Sequence, residues 1–549
     1  MRSSARSVLP ALITCVCFAS SLFAQSPGKP PVKTPRGSIS GRITIKDKPA
    51  PGVMVGIRGT EIMSSYEPFT RAVTDADGIY RIANVAGGTY QLLVTAPAYI
   101  PADRADRKIV VVSEDENVEN INFSLVRGGV ITGKLTDGDG RPVILHQVEV
   151  YDLATIERFN PQQRPFPAMT ALTDDRGIYR IYGILPGRYK VGAGRGEQGY
   201  GAFSPGQSSY RQVFHPDVTD PAKASVIEVT EGSETKDIDV LLGRPVQSFS
   251  VSGRVLNSDG VAVPNIRFGL QRGVPGSQNF EFVNTVAVVN ARGDFVIEGL
   301  IPGKYSTMMF SGEGSDMRVE SATFEIVDQD VTGVIVKVVR GAVVSGVVVL
   351  ESQDKTAQRL LRETILRGYV QGRPGFGNST ASPIAADGSF RLAGFPRGAV
   401  NFSISGTANP YPPKGLSITR IERDGIGMPR VDVKDGEQVT GVKVFIAYGT
   451  AVLRGTVKIE NGPLPPGARV FLQIRKIAEN APFLRFPQVD ERGFFLMDGM
   501  APGNYELTAN ISGGNVRLPR QIKREVSISE GGVTELTITI DLATMANHQ

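Results

Sequence analysis

The sequence predicts an all-β chain of five tandem β-sandwich modules joined into an elongated array, and three observations carry that prediction. A hairpin signature, Asp-x-x-Gly-x-aromatic or a close variant, occurs five times in 549 residues: Asp75 to Tyr80, Asp174 to Tyr179, Asn290 to Phe295, Ala385 to Phe390 and Asp490 to Phe495. Each turn glycine is followed ten residues later by another, as Gly78 by Gly88, Gly177 by Gly187, Gly293 by Gly303, Gly388 by Gly398 and Gly493 by Gly503. Between the two glycines apolar residues alternate (Tyr80 and Ile82, Tyr179 and Ile181, Phe295 and Ile297, Phe390 and Leu392, Phe495 and Met497), the period of a half-buried strand.

The local chemistry reads as hairpins. Asp or Asn bonds its own backbone, and the glycine takes the positive φ that closes the turn. Pro-Gly-x-Tyr or a variant then opens the next strand, with Tyr90, Tyr189, Tyr305 and Tyr505 in that place and Val400 in the fourth copy. An opening strand with a central glycine comes 37 to 44 residues before each turn glycine: Gly41, Gly133, Gly253, Gly346 and Gly455. Each copy closes on an alternating strand such as Thr440 to Ile446. Glycine (62) and proline (36) reach about 18% of the chain, above the roughly 12% of an average protein, as many short strands require. The modules are placed at 37–126, 127–243, 244–340, 341–447 and 448–542, with a tail at 543–549. Each is large enough to bury a core of its own. The stretch Ala357 to Val370 has helical composition and stays undecided. Short connections such as Leu241 to Gln247 argue for a partly stiff array.

Arg2 and Arg6 precede an uncharged apolar segment, Val8 to Ala24, which reads as a secretory signal peptide spanning residues 1–24. It is shorter than the roughly 20 apolar residues of a membrane-spanning helix. A Pro-rich leader at 25–36 follows. Both cysteines, Cys15 and Cys17, fall in the removed segment, so the mature chain has neither thiol nor disulfide and relies on hydrophobic cores. Without Arg2 and Arg6, 58 basic residues face 55 acidic ones, a net charge of about +3. So small an imbalance points to neither nucleic acid nor an anionic membrane surface as partner. No later apolar run reaches spanning length.

The Ser-Gly-Arg-Val type of opening, the Pro-rich second strand Pro49 to Val55, Thr-Asp-x-x-Gly-x-Tyr and Pro-Gly-x-Tyr together resemble the carboxypeptidase regulatory-like family. They are similar also to collagen-adhesin B-type repeats and to carbohydrate-binding-like sandwiches. The resemblance covers nearly the whole mature chain. It implies a transthyretin-like Greek-key sandwich of about seven strands per module, in an exported bacterial protein, with no receptor plug or barrel expected after Leu542.

Chemistry is scarce. His146, His215 and His548 are the only histidines. His146-Gln-Val-Glu149 has the His-x-x-Glu spacing of zinc carboxypeptidases, but a zinc site needs a third ligand and an open water position. On a strand, moreover, residues three apart point to opposite faces. The expectation is a strand histidine and a solvent-facing glutamate, with no catalytic residue, metal or cofactor. Asp75/Asp77 and Asp137/Asp139 hint at calcium but lack the remaining ligands of a full loop, so turn chemistry accounts for them. Gly192 to Gly196 lacks the lysine of a phosphate loop. The main departure from the repeat is an insertion in the second module, Gly194 to Asp220, bearing Tyr200, Phe203, Tyr210 and Phe214. Such aromatics either form a platform for sugars or partners or cover their own module's core, and the second reading is favoured. A second irregular loop, Gly406 to Arg430, carries Tyr411 among prolines, and the chain has no tryptophan for sugar stacking. The functional expectation is an exported, non-catalytic scaffold whose loops meet a glycan or a cell-envelope protein. The alternatives are a mechanical surface stalk without a ligand and, less favoured, a zinc peptidase using His146 and Glu149.

Overall fold

The computed structural model describes residues 36–60, 70–102, 108–153, 167–194, 210–273, 280–309, 316–370, 379–407, 412–465, 468–477, 484–513, 516–517 and 521–543. The segment assigned above to the secretion signal and most of its leader lies outside them. In the first module the main strands are β1 (Arg36–Ile45), β2 (Met54–Gly59), β3 (Thr70–Val73), β4 (Ile79–Ala86), β5 (Gly88–Thr95), β6 (Lys108–Val112) and β7 (Phe123–Arg127). One sheet has the order β4-β1-β7 and the other β3-β2-β5-β6. The first and last strands pair in parallel, Ile43 opposite Phe123, and the other main pairs are antiparallel. The same two-sheet plan recurs along the chain. Its opening strands Gly129–Thr136, Phe249–Asn257, Ala342–Leu350 and Ala451–Glu460 run parallel to the closing strands Val240–Leu241, Val331–Arg340, Gln438–Tyr448 and Val533–Asp541. Among the described residues each sandwich has a main hydrophobic core of its own, drawn from residues 39–125, 131–242, 249–338, 342–446 and 451–540.

The repeated residues do local work. Asp75 Oδ1 accepts the N–H groups of Asp77 (3.0 Å) and Ile79 (2.8 Å), which ties the hairpin turn to its first side chain. Asp174, Asn290 and Asp490 make the same pair of bonds. The fourth module, with Ala385 there, uses Asp387 Oδ1 to receive the Ser389 N–H instead (2.9 Å). All five turn glycines have φ between +72° and +83°. The Tyr90, Tyr189, Tyr305 and Tyr505 hydroxyls each donate to the carbonyl four residues earlier, at 2.6 to 2.8 Å, closing the second turn for a net gain of about 1 kcal/mol apiece. Val400 fills the position with apolar volume alone and is fully buried.

The opening glycine is demanded by the parallel closing strand. A Cβ on Gly41 would stand 2.0 Å from the Ile121 carbonyl oxygen, and on Gly133, Gly253, Gly346 and Gly455 it would stand 1.7 to 2.1 Å from Ile238, Val334, Val442 and Leu536. The Tyr80 hydroxyl donates to that same Ile121 carbonyl at 2.7 Å, and Tyr179 repeats the bond to Ile238. Burial pushes both hydroxyls well above the usual phenol range. In the last three modules a phenylalanine ring stands where these tyrosines do.

One recurring feature escaped sequence reading. Six residues after each turn glycine, Asn84, Gly183, Gly299, Gly394 and Gly499 all have φ between +61° and +86°. Each lies where the register with the opening strand shifts, so a β-bulge is built five times. The undecided stretch after Ala357 divides in two. A short helix, α1 (Lys355–Arg362), is capped by Asp354, whose Oδ1 accepts the Thr356 N–H at 2.6 Å, and a strand, Thr364–Val370, follows.

Successive modules meet through charged contacts, including Arg318 with Asp435 (2.9 Å), Arg391 with Asp316, and Lys414 with Asp498. One further contact is not what a straight string of five would make: the fifth module also touches the first, through Arg492 and Glu116. No helix among the described residues is long and apolar enough to cross a membrane.

Gly346→Ala is expected to destabilise the fourth sandwich by about 3 kcal/mol, because the Val442 carbonyl cannot yield without breaking the parallel ladder. Gly427→Ala, where an added Cβ meets nothing within 4 Å, should change stability by less than about 0.5 kcal/mol. Pulse proteolysis in increasing urea, read on fragments of the fourth module, checks the contrast.

Candidate functional site

Of the insertion aromatics singled out by sequence, Tyr200 and Phe203 lie outside the described residues. Tyr210 is only 6% exposed and belongs to the core of the second module. Its ring meets His146 edge-on, with centroids 5.6 Å apart. Phe214 is 5% exposed and packs with Tyr151, Val218 and Ala224. Both described aromatics are therefore buried in their own module. Glu149 accepts from the Tyr151 hydroxyl and from Gln147 on the strand Gln147–Asp152, and the His146 ring, one residue before that strand, meets Tyr210. Among the described residues no three His, Cys, Asp or Glu side chains gather as metal ligands would.

The structure instead brings together residues far apart in sequence at the contact of the first and fifth modules. Asp490 begins the fifth hairpin turn, and its Oδ1 serves that turn. Its Oδ2 accepts the Val111 N–H at 3.2 Å from the edge strand β6. Arg492, two residues on, bonds Asp490 Oδ2 through Nε (3.0 Å) and Glu116 Oε1 through Nη1 (2.9 Å), and donates from Nη2 to the Val111 carbonyl. The carboxylate and guanidinium thus meet both backbone groups of Val111, as a neighbouring strand would. The Asp490 side chain is 1% exposed. Burial by itself would raise the Glu116 carboxyl, but the Ser113 N–H and the Arg492 guanidinium outweigh it and hold the group below the usual carboxylate range. Arg492 also lies over the Phe494 ring, and Lys108 stands 3.7 Å from Glu491.

Beside this clasp lies a cleft of about 840 Å³. Arg58, Thr60 and Gln91 line it from the first module. The fifth supplies Val470 to Leu472 on one wall and Phe486 to Val489 on the other. Arg58 Nη2 donates to Gln91 Oε1 at 3.0 Å, which fixes the guanidinium at the rim. Phe471 (51%) and Phe486 (66%) are exposed, an unusual state for side chains of that size. Among the described residues no chemically reactive pair lines the cleft; they offer a strand edge, two open rings and positive charge, which suit binding.

No family model and no curated protein matches the chain. Among solved structures it is similar to a streptococcal ancillary pilin at 12% identity, over 55% of this chain and 98% of that one, with a TM-score of 0.24. It is also similar to the Bacillus anthracis TIE protein (11% identity, 90% and 76% covered, TM-score 0.15). A third likeness is to the shaft pilin SpaA of Lactobacillus rhamnosus GG (12% identity, 39% and 97% covered, TM-score 0.18). Likeness at this level says nothing of what this chain does.

Arg492→Glu is expected to open the clasp, since it sets three carboxylates together and leaves Asp490 unpaired at a cost of about 2 kcal/mol or more. Acid should do the same to the unaltered protein. A carboxyl held low in the closed form stabilises it above the ordinary glutamate value, near pH 4.3, and that contribution disappears as pH falls through the lowered value. Distances between spin labels on the first and fifth modules, measured at pH 7 and pH 3, should lengthen in both cases; unchanged distances would mean the clasp does not hold the modules.

Proposed function

We propose that this chain is an exported, non-catalytic cell-surface scaffold, built of modules of the carboxypeptidase regulatory-like kind, which presents its surface to a glycan or a cell-envelope protein. The observation that carries the reading is where the recurring residues go. The turn carboxylates bond their own backbones, the opening glycines admit the closing strands, and the tyrosines close the second turns. Nothing that recurs is left over for chemistry. Export is supported by the sequence, in which Arg2 and Arg6 precede the apolar segment from Val8 to Ala24 and the remainder has no cysteine. A stalk without a ligand is the nearest alternative. The cleft with its two exposed phenylalanines favours binding, because an apolar concavity with a few fixed polar groups is the usual form of a recognition site.

The test has two arms. A binding screen of the mature protein against glycans, peptidoglycan and envelope extracts should return a ligand. Incubation with peptide substrates and zinc should give no hydrolysis, and His146→Ala should change nothing. Stoichiometric zinc, together with hydrolysis abolished in His146→Ala, would overturn the reading.

A further inference from the structure

The fifth module differs from its four siblings along the strand edge that lines the cleft. In the first module β2 and β3 pair from Met54 opposite Val73 to Ile57 opposite Thr70. The corresponding strands of the next three modules also pair over four or more residues. In the fifth, among the described residues, Ile474 pairs with Arg485 and Arg475 with Leu484, and Phe486 to Val489 are not in a strand. Three residues before the start of each hairpin turn stand Ala72, Ala171, Ala287 and Ser382, which pair with Val55, Val148, Phe268 and Leu366. The fifth module has Pro487 there.

The position matters because it is one where the ladder needs a donor. Thr74 N–H bonds the Val53 carbonyl at 2.9 Å and Val53 N–H bonds Thr74 Oγ1, so the backbone of Val53 faces this edge. Alternation along an antiparallel pair then places the Val55 and Ala72 backbones toward each other. A proline at the place of Ala72 has no N–H to give. The fourth module makes the contrast: Pro383 stands one position later, where the N–H points away, and its pairing with Ile365 survives. In the fifth module Phe486 to Val489 leave the ladder. The edge of Val470 and Leu472, equivalent to Val53 and Val55, then forms one wall of the cleft.

We propose that this cleft is a β-strand acceptor, and that its occupant is an extended peptide with carboxylates at alternate positions, inserted along Val470 to Leu472. The inference rests on the scaffold reading and names its partner class. Backbone donors and acceptors on a strand edge are a template for another strand, and main-chain bonds of this kind supply affinity while alternate side chains supply specificity. Charge selects the partner. Asp490 and Arg492 are engaged with each other and with the first module, and Glu491 lies near Lys108. Arg58, held by the neutral Gln91, and the exposed Arg469 have no ion-pair partner among the described residues, and both line the cleft. Phe471 and Phe486 flank the insertion path with apolar surface.

The test uses the full mature chain and a fluorescein-labelled hexapeptide, Glu-Val-Glu-Val-Glu-Val, followed by fluorescence anisotropy. The expected result is saturable binding, weakened at least tenfold by N-methylation of alternate peptide amides and at least tenfold by Arg469→Glu. Pro487→Ala restores the missing donor, so the two strands should zip together and binding should be lost in a protein that is still folded by circular dichroism. Should that variant fail to fold, the N-methyl and Arg469→Glu arms decide. No binding, equal binding of the N-methylated peptide, or undiminished binding by folded Pro487→Ala overturns the acceptor. A soluble peptidoglycan glycan that binds where the peptide does not would also overturn it while leaving the scaffold reading intact. Cleavage of the peptide would sink the scaffold reading itself.

Discussion

Each sandwich depends on the close approach of its last strand to its first. The parallel pairing of opening and closing strands brings a carbonyl to about 2 Å from where a side chain would begin, and only glycine admits it. From that contact the rest follows. The opening strand lies between the closing strand and the hairpin strand, and the second sheet is laid across to bury the alternating residues between them. The hydroxyls of Tyr80 and Tyr179 engage the same carbonyl that excludes a Cβ, so a steric requirement and a hydrogen bond lock one point. Without disulfides, stability in such a chain is the sum of five independent closures plus the junctions between them.

A repeat explains what is common, so function is to be sought where a copy departs from the others. The fifth module departs twice within six residues. Pro487 has no N–H to give the ladder and lines the cleft, and Asp490 with Arg492 turns an ordinary hairpin into a clasp on a neighbouring module. The two changes have opposite effects on backbone satisfaction. One leaves a strand edge to be covered, while the other covers the β6 edge at Val111 with a carboxylate and a guanidinium in place of a strand. A buried carboxylate is tolerated here because two turn N–H groups, a neighbouring N–H and an arginine all converge on it.

The fold was legible because its signals are local. The bond from Asp75 to its own turn, the positive φ of Gly78 and the alternation of Tyr80 and Ile82 depend on residues within a few positions of one another, and a five-fold repetition separates such signals from chance. The bulge at Asn84 was missed because the first copy has asparagine where the others have glycine, and both residues tolerate a left-handed backbone. In the insertion of the second module Tyr210 and Phe214 turn inward; aromatic content by itself leaves open which side of a loop faces solvent, so the sequence offered both a platform and a core cover.

Composition and spacing alone determined the all-β class, the number of modules, the hairpin chemistry and the segments that open and close each copy, because all are set by nearest neighbours along the chain. Tertiary structure decided what a given motif touches. Asp174-x-Arg176 and Asp490-x-Arg492 are the same turn with the same side chains; the first pair stands exposed on the second module, and the second is clasped to Val111 and Glu116, more than 370 residues away in sequence. The cleft likewise needed the fold, since a missing N–H at Pro487 matters only once the strand it should have bonded is known. Long-range partners are chosen by how modules pack, and packing is written in no single stretch of residues.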